Sequence, residues 1–148
     1  MPLTDAIGLT SEPITATIDR GRLRLFAKAT GQTDPIYTDV DAAIAAGHRD
    51  LLVPPTFLFG IDLERPEPFQ WLEDLGVDMR MVLHGTQSFD YVAPVYAGDT
   101  ITSNGTVVDV QVKKGGALTF IERRATLTRD GEVVAELTGT TIVRGTAA

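Results

Sequence analysis

Apolar and polar positions follow one rhythm up to about residue 78 and another after it. In the first half, Ile18, Leu25, Phe26 and Ala29 recur at helical spacing, with Arg20, Arg24 and Lys28 on another stripe. This predicts a helix closed by Gly31, since glycine tolerates the left-handed backbone at a helix end. Pro13–Thr17 predicts a short strand before it. Thr33-Asp34-Pro35 predicts a turn, because proline drives the preceding residue toward extended backbone. Thr38 with Asp41 resembles a capping box and predicts a short helix through Ala46, closed by Gly47. Pro54-Pro55 opens a third helix through Phe57, Leu58, Phe59, Ile61 and Leu63, which must break near Pro66 and Pro68. Its apolar residues do not keep to one face, so it is expected to be buried all round, with something wrapped about it.

The second half supplies the wrapping. Met79–Val92 alternates, with Met79, Met81, Leu83, Phe89 and Tyr91 expected on one face and Arg80, His84, Ser88 and Asp90 on the other. Asp99–Val112 follows the Ala97-Gly98 turn, and Ala117–Arg129 follows Lys114-Gly115-Gly116. Glu132–Val143 follows Asp130-Gly131, a two-residue hairpin signal. Successive hairpins imply an antiparallel sheet. The expectation is one α+β domain over 1–148, a curled sheet around one apolar helix.

Composition narrows the function classes. The chain has no cysteine, which excludes disulfides, thiolate nucleophiles and Cys-ligated metals; no metal and no cofactor are expected. A net charge of −7 argues against nucleic acid or an anionic membrane surface as the main partner. The longest apolar run, Leu51–Ile61, falls short of the ~20 residues a membrane span needs. Met1–Pro13 lacks a basic stretch followed by an apolar one, so the expected location is the cytoplasm.

Four segments carry a family resemblance. Phe26-Ala-Lys-Ala-Thr-Gly-Gln-Thr-Asp-Pro-Ile-Tyr37 resembles the signature of (R)-specific enoyl-CoA hydratases. Asp39–Gly47, Val53-Pro-Pro-Thr-Phe-Leu58 and Tyr91-Val-Ala-Pro-Val-Tyr-Ala-Gly-Asp-Thr100 resemble, in order, stretches found downstream in that family. Together they cover roughly Ile14 to Arg144. The chain is similar above all to MaoC-like N-terminal, or FAS1-type dehydratase, domains, which include non-catalytic subunits of hydroxyacyl-thioester dehydratases. The resemblance implies a hot-dog fold, an acyl-CoA or acyl-carrier-protein thioester as ligand, and a catalytic MaoC-like subunit or a second copy as partner.

Hydrating an enoyl thioester needs a water activated between a His and a carboxylate, and N–H donors for the thioester oxygen. The resemblance places Gln32 where the family has its catalytic Asp and Tyr37 where it has its His. It places Pro55, which has no N–H, where a glycine would donate. An amide is a negligible base, and a phenol with a pKa near ~10 is a poor one at neutral pH. The resemblance therefore implies a hydro-lyase relative whose own motif is silent, with Pro55, Thr56, Phe59 and Trp71 as tentative acyl contacts. Residue by residue there are plainer readings: Asp34 as turn chemistry, Tyr37 as packing, His48 as a helix-end cation and His84 as a solvated strand residue. Arg20, Arg22, Arg24 and Lys28 fit either ligand phosphates or a solvated face. Two other functions stay open, an acyl-CoA-binding homodimer without turnover and a hot-dog thioesterase using Asp34, Asp50 or Glu64.

Overall fold

The computed structural model describes residues 2–145; Met1 and 146–148, the ends of the expected 1–148 domain, lie outside the described residues. Five strands form one antiparallel sheet: β1 (Ile14–Thr17), β2 (Val82–Tyr91), β3 (Thr100–Lys113), β4 (Leu118–Arg129) and β5 (Glu132–Arg144). Their order is β1-β3-β4-β5-β2. The β4–β5 hairpin turns at Asp130-Gly131, both at positive φ (53° and 80°), the backbone that matches the right-handed twist of the flanking strands.

One face of the sheet is apolar and packs against the first half of the chain. Leu58 and Ile61 are buried there with Leu23, Leu51, Ile101, Leu127 and Leu137. Further along, Leu72, Leu75 and Val77 cover Val107, Val110, Ile121 and Val143. Each such fully buried side chain contributes about 1.5–3 kcal/mol relative to exposure.

The outer margin of β3 is covered twice. β1 pairs with Thr100–Ser103. The N-terminal segment then continues the ladder, with Ser11 N donating to Gly105 O (2.9 Å), Val107 N to Leu9 O (2.9 Å) and Gly8 N to Val107 O (2.8 Å). β2, at the other margin, has no strand on its outer side among the described residues.

Several sequence expectations shift locally. α1 spans Arg20–Thr30 rather than starting at Ile18, so its inward face is Leu23, Phe26 and Ala27, and Leu25 is 69% exposed. The cap of α2 (Val40–Ala45) is Asp39, not Thr38; its carboxylate accepts from Asp41 N (2.9 Å) and Ala42 N (3.2 Å). The third helix is a 3-10 helix, Phe57–Glu64, followed by the short α3 (Gln70–Asp74). It is not buried all round: Phe57, Leu58 and Ile61 are inside, while Phe59 and Leu63 are 38% and 43% exposed.

β2 also differs. Met79–Met81 is a helical turn, and the β2–β5 register shifts between His84 and Thr86. The extra residue flips the alternation. Pairing of His84 with Thr141, Gln87 with Gly139 and Phe89 with Leu137 puts all three on the core-facing side, so His84 is not on the face expected for it. Its ring meets that of Phe59 edge-on at 5.8 Å. Among the described residues no helix is long and apolar enough to cross a membrane.

Candidate functional site

Two cavities open on the core side of the sheet, and Leu58 borders both. The smaller, about 360 Å³, forms where three loops are stitched together. Leu52 N donates to Ile36 O (3.1 Å) and Val53 N to Val95 O (2.9 Å), which brings the Asp34–Tyr37 turn beside Pro55 and Val92–Val95. Tyr37, His48, Pro55 and Tyr91 line this cavity. No carboxylate lines it among the described residues. His48 Nδ1 lies 3.0 Å from the Tyr96 hydroxyl, so its partner there is a phenol rather than an acid.

The helix that begins at this cavity offers little to an oxyanion. Pro55 has no N–H, and the next donor, Thr56 N, is taken by the Tyr91 hydroxyl at 2.9 Å. Thr56 holds φ 72°, a left-handed backbone that β-branched residues rarely adopt. Gln32 is half-buried and lines neither cavity. Asp34 accepts from Ile36 N (3.1 Å), a turn role. The structure thus brings Tyr37 and Pro55 together and leaves Gln32, Asp34 and Thr56 outside the lining.

The larger cavity, about 740 Å³, is a groove between the sheet and the segment from Phe59 to Met79. Phe59 and Trp71 line it, with Leu63, Phe69 and Leu75. Its deep wall is polar. Asp62 accepts from Ser103 Oγ (2.9 Å) and Arg123 (2.5 Å) and pairs with Arg65 (3.3 Å). Arg123 also donates to Ser11 Oγ (2.9 Å). Burial alone would raise the Asp62 carboxyl, but Arg123, Ser103 and Arg65 outweigh it and hold it below the usual carboxylate range. A Cβ on Gly105 would collide with the Arg123 guanidinium, so the glycine makes room for it.

Sequence reasoning missed this cluster because its members are far apart in the chain. One signal was present: Arg123 occupies an inward position in the β4 row Ile121, Arg123, Ala125, Leu127, which is otherwise apolar.

Other charges serve the scaffold. Asp99, 5% exposed, accepts from Tyr96 N (2.9 Å), Arg129 (2.6 Å) and Arg49, fixing the Ala97-Gly98 turn. Burial pushes its carboxyl up, but Arg49, the Tyr96 N–H and Arg129 bring it below its ordinary value. Arg20 is bidentate to Asp50, Arg22 pairs with Glu64, and Arg24 donates to Thr38 O (2.9 Å). Three of the four cations considered for phosphates are therefore engaged within the chain, and so are the thioesterase candidates Asp50 and Glu64. No group of three or more His, Asp or Glu side chains among the described residues is placed to hold a metal ion.

Comparison with known proteins places this geometry. The family profile described as "FAS1-like, dehydratase domain region" matches residues 5–137. The chain belongs to that family. This FAS1-like dehydratase chain is 40% identical to a UPF0336 protein of Streptomyces griseus subsp. griseus over 116 residues, 78% of this chain and 77% of that protein. It is 36% identical to a UPF0336 protein of Parafrankia sp. over 154 residues, 99% and 98% of the two. Among solved structures, a chain of the C-terminally truncated HadBC (3R-hydroxyacyl-ACP dehydratase) complex from Mycobacterium tuberculosis superposes with a TM-score of 0.77 at 26% identity. That match covers 93% of this chain and 98% of the other. The ChsH1–ChsH2 complex from the same organism gives 0.75 at 22% identity, covering 98% and 93%, and there the likeness is one of fold. The fold is the hot-dog fold of MaoC-like dehydratases.

Proposed function

We propose that this chain is the non-catalytic, acyl-accommodating half of an (R)-specific 2-enoyl-thioester hydratase/3-hydroxyacyl-thioester dehydratase of the cytoplasm. The observation that carries the reading is the smaller cavity, which Tyr37 and Pro55, set by the family resemblance at the positions the chemistry would use, line without any carboxylate among the described residues. Water addition needs a base and an acid in reach of one water. His48 supplies an imidazole, but among the described residues no carboxylate orients it, and at the helix start Pro55 has no N–H and Thr56 N is engaged by Tyr91. The catalytic pair then comes from a MaoC-like partner, and this chain supplies the groove of Phe59 and Trp71 for the acyl tail.

The partner fits along β2. Its margin is ten residues long and uncovered among the described residues, and Leu83 beside it is 45% exposed. An uncovered edge of that length invites another strand. HadBC and ChsH1–ChsH2 are both complexes, which supports pairing with a related hot-dog subunit.

The test is hydration of crotonyl-CoA and longer enoyl-CoAs by the purified chain, alone and mixed with a catalytic MaoC-like subunit. Turnover should require the partner. Turnover by the chain alone that is lost in His48→Ala would overturn the reading and make His48 a base.

A further inference from the structure

We propose that the larger groove selects acyl ligands bearing a neutral hydrogen-bond-accepting oxygen on the tail, beyond the third carbon, which the Arg123/Arg65 pair recognises. This rests on the acyl-accommodating reading and specifies its ligand.

A groove built only for hydrocarbon gains nothing from a charged wall, because stripping water from charges costs free energy that an alkyl chain does not return. The wall here is charged, and it carries more donors than the protein uses. Two guanidiniums offer five N–H groups each. Their recorded protein partners are Asp62 for both, Ser11 Oγ for Arg123 and Glu12 O for Arg65. Glu12 forms no ion pair with either among the described residues. One carboxylate therefore faces two cations, and guanidinium donors are left over for an acceptor.

The groove of about 740 Å³, which Arg65 and Arg123 both line, leaves room for that acceptor. Gln87, Gly139 and Arg123 lie in register across β2, β5 and β4. Gly139 has no side chain, and the Gln87 amide lies over it, where a Cβ would meet its oxygen at 2.5 Å, so an amide joins the two guanidiniums on the groove wall. The remaining lining decides the charge of the ligand. Glu12, Asp62, Glu67 and Asp74 border the groove against Arg65 and Arg123, which disfavours an anionic tail. A keto, hydroxyl or ether oxygen satisfies the spare donors without that repulsion.

The experiment compares octanoyl-CoA with analogues carrying one keto oxygen at the fifth, sixth or seventh carbon. Binding is measured by calorimetry on the purified chain and on its complex with a catalytic subunit. One keto position should bind about tenfold tighter than octanoyl-CoA, the gain expected of a hydrogen bond from a charged donor. The paired variant Asp62→Leu/Arg123→Met, with Arg65→Met added because Arg65 shares the same carboxylate, removes all three charges of the wall, so no lone ion is left half-buried. It should erase the discrimination and keep octanoyl-CoA affinity within about twofold, since no apolar contact is removed.

Equal affinity for keto and plain chains overturns this inference and leaves the acyl-accommodating reading standing. Absence of binding by every acyl-CoA, alone and in complex, overturns that reading and this inference with it. Suberoyl-CoA, with its tail carboxylate, should bind more weakly than octanoyl-CoA; tighter binding overturns the neutral-oxygen assignment. Should the triple variant fail to fold, the infrared band of an isotope-labelled keto group bound to the wild-type chain decides. A band at or below its frequency in water supports the guanidinium contact, and a shift to the higher frequency of a hydrocarbon environment overturns it.

Discussion

At the scale of single residues, the clearest tension is at Thr56, a β-branched side chain held at φ 72° beside the smaller cavity. A left-handed backbone costs an L-residue about 1–2 kcal/mol, of which glycine escapes most. Thr56→Gly should therefore raise stability by about 1 kcal/mol in urea unfolding, while Tyr91→Phe, which strips the Thr56 N–H of its acceptor, should lower it by a similar amount. Two of the more shielded carboxylates contribute to the pH dependence. Asp62 and Asp99 both titrate below the ordinary carboxylate range in the folded chain, whereas unfolded they titrate near ~3.9. A depressed folded value means that their stabilisation is complete above about pH 5 and is lost as pH falls through the folded values. Urea midpoints measured from neutral pH downward should fall in that acid window, and Asp62→Asn should flatten the slope. Asp99→Ala, which leaves Arg129 half-buried without its acid, should cost about 3 kcal/mol at neutral pH.

At the scale of elements, the strands were legible in the sequence and the detail around the grooves was not. Asp130-Gly131, Ala97-Gly98 and Gly115-Gly116 mark their turns locally, so β3, β4 and β5 follow from short-range chemistry. The Phe57–Glu64 segment misled because apolar content says nothing about helix pitch. With three residues per turn, Leu58 and Ile61 share one row and Phe59 and Asp62 another. That second row meets His84 and the Arg123 cluster, contacts of which the sequence carries only the inward position of Arg123 as a sign. β2 misled for a similar reason: Gly85 lies where the register shifts, and one extra residue moves His84 to the groove side. Tyr37 and Pro55 were singled out through family resemblance and line one cavity, whereas the wall of Asp62, Arg65 and Arg123 depends on residues up to 112 apart in sequence. The glycine beneath that wall gives a direct check. Gly105→Val should displace the Arg123 guanidinium and lower stability by about 2 kcal/mol or more, read as a drop in melting temperature.

At the scale of the whole molecule, the two margins of the sheet differ. Lysines at Thr86 and Ser88, both exposed on β2, should weaken association along that strand, because edge lysines oppose pairing. Light scattering should then report half the mass of the wild-type assembly, with the melting transition little changed. The opposite margin has a different consequence. Residues Gly8–Ser11 occupy hydrogen-bonding groups of β3 at Gly105 and Val107, so beyond β1 a newcomer would find that stretch of the margin already engaged. On the proposed pairing along β2, a sibling or a catalytic cousin takes the open margin, while the opposite one is already partly filled by the chain itself. Trimming those few N-terminal residues would bare the β3 groups at Gly105 and Val107, and should favour growth beyond a pair.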